Sequence, residues 1–449
     1  FLRLPESSRI LNTNTRQQNE QTNCTMDTPK KEFNPETLMD LLPIYYKRLY
    51  PFNHMYRWLA YGHPPEHTIL TNRDVTFTLE NDIYARYISI GNLEQMKATV
   101  LKMMPIKIDI GAVMTHNPKD FKTNPNMRPV QKELVFDIDM TDYDDIRTCC
   151  SGADVCTKCW KFMTVACRIL NTGLKDDFGF KHILWVFSGR RGIHCWVCDE
   201  EARFLDEKGR SAIAEYFSLI TAGGKDNESS KVTLGDKIHH SVKRALKIIE
   251  SVFEEICLVD QNIFGTPAGK KKLLQMVSDE NVRRDLETYL NSLNLADSKA
   301  VWGAFVRFVN SARVQSTLPR NLKRLVEEVQ LALTYPRLDV NVTKGMGHLL
   351  KGPFCIHPKT GKVCVPFNPN AAVKFDPTTV PTINVLLDEV NAFDDKNKPE
   401  DETEEKSKIK DFKKTSMLKG LVLFDEFLQK LELVCKRKAV ELNDMKMEF

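Results

Sequence analysis

No run of 18 or more apolar side chains occurs anywhere among the 449 residues, so no helix is long and apolar enough to span a bilayer. The polar residues 1–25 hold no apolar core of the kind a secretory signal carries. Charge of either sign is nearly balanced. The 64 basic and 60 acidic side chains leave only +4, which excludes a histone-like binder and confines any nucleic-acid footprint to a local basic patch. Twelve cysteines spread over so long a chain do not resemble a small disulfide scaffold. The expectation is a cytosolic or nuclear protein with mostly reduced thiols, in which clustered cysteines ask for a metal. Internal repeats are absent. What is present, 42% apolar and 28% charged residues, is ordinary for a globular chain of two or three structural units.

Along the chain the texture changes several times. Residues 1–25 are rich in Asn, Gln, Thr, Arg and Ser, and disorder is expected there. Met26 sits just before the first structured pattern and marks the expected true start, with 1–25 an extension. Asn34-Pro35-Glu36 is a helix-starting triplet: a capping residue, a proline at the first position, then an acid near the positive end. The helix it opens carries Leu38, Leu41, Leu42, Tyr45, Tyr46 and Leu49, with a kink expected at Pro43. Strand-like alternation covers 74–90, 105–115, 133–140, 182–187 and 193–198, with a helix at about 157–175. Residues 201–335 read as a mostly helical insertion. A strand pattern returns at 337–342, so the β-unit is expected to be split into 26–200 and 336–393. Residues 394–414 read as a charged linker, and 415–449 as an amphipathic C-terminal helix with Leu421, Phe424, Phe427, Leu428 and Leu431 at helical spacing.

The stretch Glu133-Leu-Val-Phe-Asp-Ile-Asp-Met140 says most about chemistry. Its apolar residues alternate as in a half-buried strand, so Asp137 and Asp139 share the opposite face. Their Cα atoms are then roughly 6.5–7 Å apart, a span two carboxylates can close around divalent cations. Alone, an Asp-x-Asp pair is more often two solvated acids. Asp339, read on the polar face of the returning strand, is the candidate third carboxylate, and an ordinary strand-face acid is as common a reading. Ser188-Gly-Arg-Arg-Gly-Ile-His194 follows a strand. Its glycines admit close backbone approach, Arg190 and Arg191 offer planar charged forks, and Ser188 and His194 add short polar groups. It lacks the Gly-Lys-Ser/Thr ending of a Walker loop, and by itself such a turn is usually a solvated basic loop. Lys344, His348, Lys351 and His357 extend the basic character, as phosphate ligands or as a solvated hairpin. Three acids beside a phosphate clamp point to two-metal phosphoryl transfer with Mg²⁺ or Mn²⁺.

Cys149, Cys150, Cys156 and Cys159 fall within eleven residues. Four thiolates at about 2.3 Å form a closed tetrahedral zinc site that stabilises a fold and does no chemistry. Free buried thiols are the blander reading, and the clustering argues against it. Cys195 and Cys198 lie in a strand, where positions i and i+3 face opposite ways, and read as core thiols.

These residues together resemble the eukaryotic small, catalytic subunit of DNA primase, in the archaeo-eukaryotic primase family. The resemblance rests on Glu133 to Asp144, the cysteine cluster, Ser188 to Asp199 and Pro336-Arg-Leu-Asp-Val-Asn-Val342, with Lys107-Ile-Asp-Ile-Gly-Ala112 and His357-Pro-Lys-Thr-Gly361 in support. It runs from about Met26 to the C-terminus and is loosest over the helical insertion. It implies an α+β fold: a mixed-sheet catalytic core with an RRM-like sheet, a zinc motif and a helical subdomain. It implies an enzyme that starts RNA primers de novo on single-stranded DNA from ribonucleoside triphosphates. Matched by motif, Asp137, Asp139 and Asp339 hold Mg²⁺ or Mn²⁺, and the four cysteines hold Zn²⁺. Ser188, Arg190, Arg191, His194, Lys351, His357 and Arg86 contact nucleotide, and Asp109 relates to the initiating nucleotide. Asp74 departs from the Glu expected there. The implied partners are a large subunit carrying an iron–sulfur cluster and the DNA polymerase alpha complex, and the implied place is the nucleus. Two competing expectations are a repair-type primase-polymerase using deoxynucleotides and a non-catalytic zinc scaffold that binds nucleic acid.

Overall fold

The computed structural model describes residues 32–63, 67–221, 231–397 and 409–447. The extension expected at 1–25 lies outside them, as does 398–408 of the charged stretch. The strands are β1 (Arg73–Thr78), β2 (Tyr84–Ile88), β3 (Lys107–Met114), β4 (Pro129–Gln131), β5 (Leu134–Asp139), β6 (Ile183–Phe187), β7 (Gly192–Val197), β8 (Ile220–Thr221), β9 (Arg337–Leu338), β10 (Leu350–Lys351) and β11 (Pro366–Phe367). One sheet has the order β10-β3-β1-β2, with β4 also on β3, and another has the order β11-β6-β7-β5. All pairings in both are antiparallel. β8 and β9 pair in parallel. With many helices around these sheets the architecture is α+β.

Strand β5 uses its alternation as the period demands. Leu134, Phe136 and Ile138 are fully buried. Phe136 stands opposite Cys195, which stands opposite Trp185; Asp137 stands opposite His194, which stands opposite Val186. Opposed residues share a face, so one face carries Phe136, Cys195 and Trp185 and the other carries Asp137 and His194. Helix Thr157–Asp176 covers the first face. Trp160 meets Phe187 edge-on at 5.6 Å, and Asn171 accepts the Trp185 indole N–H at 3.2 Å. The second face is capped at one end by helices Phe52–Ala60 and Leu418–Met447, where Trp58 packs 5.1 Å from Trp196 and 6.0 Å from Phe424. The other end stays open at Asp137 and Asp139, whose side chains are 30% and 34% exposed. Cys195 and Cys198 are both buried.

A buried charge cluster ties the two sheets together. Arg73 on β1 and Glu133, just before β5, are both fully buried and meet at 2.8 Å, and the Tyr61 hydroxyl also donates to Glu133. Burial alone would raise Glu133, but Arg73 overrides it and holds the carboxyl down at about 2. Beside it Arg210 donates to the Glu133 carbonyl at 3.0 Å, and Lys132 donates to the His348 carbonyl at 2.5 Å. Thus one end of β5 is bolted to the first sheet and to the segment that leads into β10.

Two expectations change. The strand at 337–342 is only the two residues of β9; Asp339 then caps the short helix Val340–Lys344, its carboxylate accepting the Asn341 N–H at 3.1 Å. Local Asx capping has won over the alternation in Leu338, Val340 and Val342. The described residues of 201–335 are mostly helical, as expected, and their one strand is β8, the partner of β9. Of the residues read as linker, 394–396 finish helix Ile383–Lys396 and Asp411–Lys414 form a helical turn. Opposite charges explain this: Arg48 reaches Asp394 at 2.6 Å and Asp411 at 2.7 Å, and Lys414 reaches both at 2.7 Å. The triplet at Asn34 starts its helix by the cap expected, with the Asn34 side chain accepting the Glu36 N–H.

Candidate functional site: a carboxylate cleft and a cysteine cluster

Asp137 and Asp139 emerge side by side at the open end of β5. Asp339 joins them from about two hundred residues away, because its N–H donates to the Asp137 carbonyl at 3.3 Å. The three acids are unequal. Burial first, then Asp139 and Asp339, push Asp137 up to about 7. Burial works against Asp139 too, but the Thr141 N–H and Arg191 hold it below its ordinary value. Arg191 Nε lies 2.7 and 2.8 Å from the two Asp139 oxygens. Asp142 stands nearby, raised to about 6 by burial and by Asp139. An oxygen-lined cleft that crowds acids together suits a hard divalent cation, which would offset the burial and the repulsion that raise Asp137.

A basic rim faces the acids. The turn Ser188 to Arg191 joins β6 to β7. Gly189 has φ +88°, and a Cβ there would sit 2.7 Å from the His357 Cβ, so only glycine lets the 357 segment lie against the turn. Thr360 Oγ1 donates to the Gly189 carbonyl at 2.6 Å, and Lys351 Nζ donates to the Ser188 carbonyl at 2.6 Å. The Ser188 hydroxyl accepts the Gly192 N–H at 3.0 Å. His194 Nε2 is 3.7 Å from Asp137. Burial, reinforced by Lys351, lowers both His194 and His357 to about 3, so both rings are neutral at physiological pH. Arg190 lies close enough to His357 to add to that effect.

Asp109 pairs directly with Lys351 across β3 and β10. Burial raises Asp109, opposed by Lys107 and Lys351. Arg86 is two strands farther out, on β2. It meets the buried Asp74 at 3.4 Å and lies over the Tyr87 ring, which stacks on Phe121 at 4.1 Å. The structure therefore gathers Asp137, Asp139, Asp339, Ser188, Arg191, His194, Lys351 and His357 around one opening, with Asp109 beside Lys351, while Arg86 stays apart on β2 with Asp74 and Tyr87. Lys344 turns away to Glu215 at 3.8 Å, and His348 contributes a main-chain carbonyl to Lys132. Sequence reasoning missed Asp142, Thr360 and Lys132. Asp142 had a signal, its place three residues after Asp139; the other two act through partners far away in the chain.

The four clustered cysteines converge as their spacing implies. Their sulfurs all lie within 4.8 Å of one another, with Cys156 Sγ 3.5 Å from Cys149 Sγ and 3.9 Å from Cys159 Sγ. Tetrahedral zinc with bonds of about 2.3 Å needs sulfurs about 3.8 Å apart, so the donor set fits. Cys156 and Cys159 lie at the positive end of helix Thr157–Asp176; there burial is outweighed at Cys156 by main-chain N–H groups, which lower it to about 7, whereas burial raises Cys159.

Comparison with known proteins adds an independent line. The family described as DNA primase small subunit matches residues 136–369. The DNA primase small subunit of Drosophila melanogaster is 56% identical over 91% of this chain and 95% of its own length. The Schizosaccharomyces pombe protein of the same name is 39% identical over 84% of this chain and 82% of its own. The DNA primase small subunit PriS of Thermococcus kodakarensis is 29% identical over 55% of this chain and 66% of its own.

Proposed function

This chain belongs to the DNA primase small subunit family and is a primase, and from that premise we propose that it starts short RNA chains de novo on single-stranded DNA from ribonucleoside triphosphates. The observation that carries this reading is the meeting of Asp137, Asp139 and Asp339 with a basic rim in one opening. In it the three carboxylates hold Mg²⁺ or Mn²⁺. Such cations, when bound, make a 3′-hydroxyl a better nucleophile and offset charge on the departing pyrophosphate.

The chain's own groups do the rest. Arg190, Arg191 and Lys351 supply fixed positive charge to the triphosphate, and Ser188 with the neutral rings of His194 and His357 supplies uncharged polar contacts. Arg191 grips Asp139 now; shared with a triphosphate, it ties substrate position to carboxylate position. Asp109, which pairs with Lys351 across two strands, serves the initiating nucleotide in this reading, and Arg86 is a further nucleotide contact. The cysteine cluster holds structural zinc and takes no part in the reaction. A small subunit implies a large one. The expected large subunit bears an iron–sulfur cluster, and the pair joins the DNA polymerase alpha complex in the nucleus.

The test is primer synthesis by the purified chain on oligo-dT with labelled ATP and Mg²⁺ or Mn²⁺, beside an Asp137→Asn/Asp139→Asn variant and with or without the large subunit. Short RNA ladders from the unaltered chain alone are the expected result. Ladders made only from deoxynucleotides would point to a repair-type primase-polymerase. No ladder under any condition would leave a zinc-bearing scaffold.

A further inference from the structure

Gln261 belongs to the helical insertion, yet its side chain is spent on the cysteine loop. It is 1% exposed. Its Oε1 accepts the Thr148 N–H at 2.8 Å and the Cys149 N–H at 3.3 Å, and its Nε2 donates to Cys149 Sγ at 3.3 Å. Its carbonyl accepts the Thr148 hydroxyl. Every polar group of this buried amide except its own N–H thus points at residues 148–149, and that N–H completes the π-helical turn Glu254–Asp260 by bonding to the Ile256 carbonyl at 3.0 Å. Such wide turns are rare, and this one sets the direction of Gln261. Asn262 follows at φ +45°, and its side chain caps the helix that starts at Ser298, accepting the Ser298 N–H at 3.0 Å.

On the other side of the cluster stands Arg147, whose side chain is fully buried. It donates to Cys159 Sγ at 3.8 Å and to the Gly152 and Asp154 carbonyls at 2.8 and 2.6 Å. Besides the Cys156 main-chain N–H, which donates to Cys159 Sγ at 3.3 Å, the cluster therefore has one side-chain N–H donor from the catalytic core and one from the insertion, each aimed at a different sulfur. A packing contact between two helical layers needs neither.

We infer that the cysteine centre is the clasp by which the helical insertion is docked onto the catalytic core, with Gln261 as the positioning residue that couples metal occupancy to docking. This rests on the reading of the cluster as a zinc site. A bound metal fixes the 148–156 loop and with it every partner of Gln261. A docked Gln261 in turn orients Cys149 and stabilises its thiolate. Such coupling is reciprocal, so each event strengthens the other by the same factor.

The experiment uses the full chain with zinc bound and with zinc removed by a thiol reagent and chelator. Hydrogen exchange is read in peptides covering 253–265 and, as the reference, 134–139 and 192–197. Zinc removal is expected to strip protection from 253–265 and leave both strands protected. Gln261→Leu is expected to release zinc to a chromogenic chelator about 10–100-fold faster. It should also shift the thiolate charge-transfer bands of the cobalt-loaded protein. Gln261→Glu keeps the acceptor for the two loop N–H groups but sets an anion against the sulfur. It is expected to release zinc at least as fast while keeping more protection at 148–149. Zinc release unchanged in both variants, with 253–265 still protected after zinc removal, would overturn the clasp. Loss of protection in the two strands as well would overturn its local character. A chain that binds no zinc at all would overturn the metal reading itself.

Discussion

Twelve residues separate Asp137 from Cys149, and the two clusters they belong to treat negative charge in opposite ways. The cysteine cluster is supplied with donors from both sides, Arg147 and Gln261, and a helix end beneath it. The carboxylate cleft is left unbalanced, with Asp137 lifted to about 7 and only Asp139 firmly held by a cation. A site that serves the fold satisfies its ligands before the metal arrives. A site that must take and release charged substrates keeps part of its charge unspent. The difference is one of second partners, since both sets crowd acidic ligand groups together.

The largest effect that separates the two comes from the cleft. Asp137→Asn/Asp139→Asn is expected to lower nucleotide incorporation by about a thousandfold or more, since several kcal/mol of charge stabilisation is lost. Zinc content, measured by mass spectrometry, should not change; if zinc is lost too, the sites are not independent and the contrast collapses. Next in size is the reverse experiment. Cys156→Ser/Cys159→Ser is expected to cost about 4 kcal/mol or more of stability, because structural metal binding is folding free energy. Thermal unfolding against the Asp variant checks it.

A finer test uses the sign of the Asp137 shift. Its pKa is raised in the folded chain, so the native state keeps a proton that the unfolded state loses from about pH 4 upward. Stability without divalent cations therefore falls as pH rises from about 4 to about 7. Asp137→Asn cannot ionise and should be more stable at pH 8 by about 1–3 kcal/mol, the cleft being partly solvated, with no gain at pH 4. Manganese should erase the gain, and a melting curve unmoved by pH would remove the frustration argued for the cleft. The smallest effect concerns the rim. Gly189→Ala forces a Cβ against His357 at positive φ and should cost about 1–2 kcal/mol. The apparent KM for ATP should rise while zinc release stays as it was.

Much of this was legible in the chain. The pair Asp137 and Asp139 followed from alternation, and the cysteine spacing announced its convergence, because both are local patterns. Asp339 was found by composition and motif but placed on the wrong element, since a two-residue strand ending in a cap looks like a longer strand. Lys132 and Gln261 were invisible. Their bonds close over 216 and 112 residues, and nothing in the neighbourhood of either residue encodes where its partner lies. Periodicity records which way a side chain faces; it does not record who meets it there.

Both sheets also take a strand from far downstream, β10 on β3 and β11 on β6. For a chain emerging from a ribosome this sets an order of events. The cysteines are out early, but their hold on Gln261 waits for the insertion. Phe367 follows Asp139 by 228 residues, roughly 10–50 s of synthesis. Until its own turn comes Asp339 is missing from the cleft, and the part of the β3 edge that β4 leaves free and, once made, the edge of β6 wait for their strands, open to pairing with other chains. The half-made protein is inert as a catalyst and exposed as a fold for the same reason.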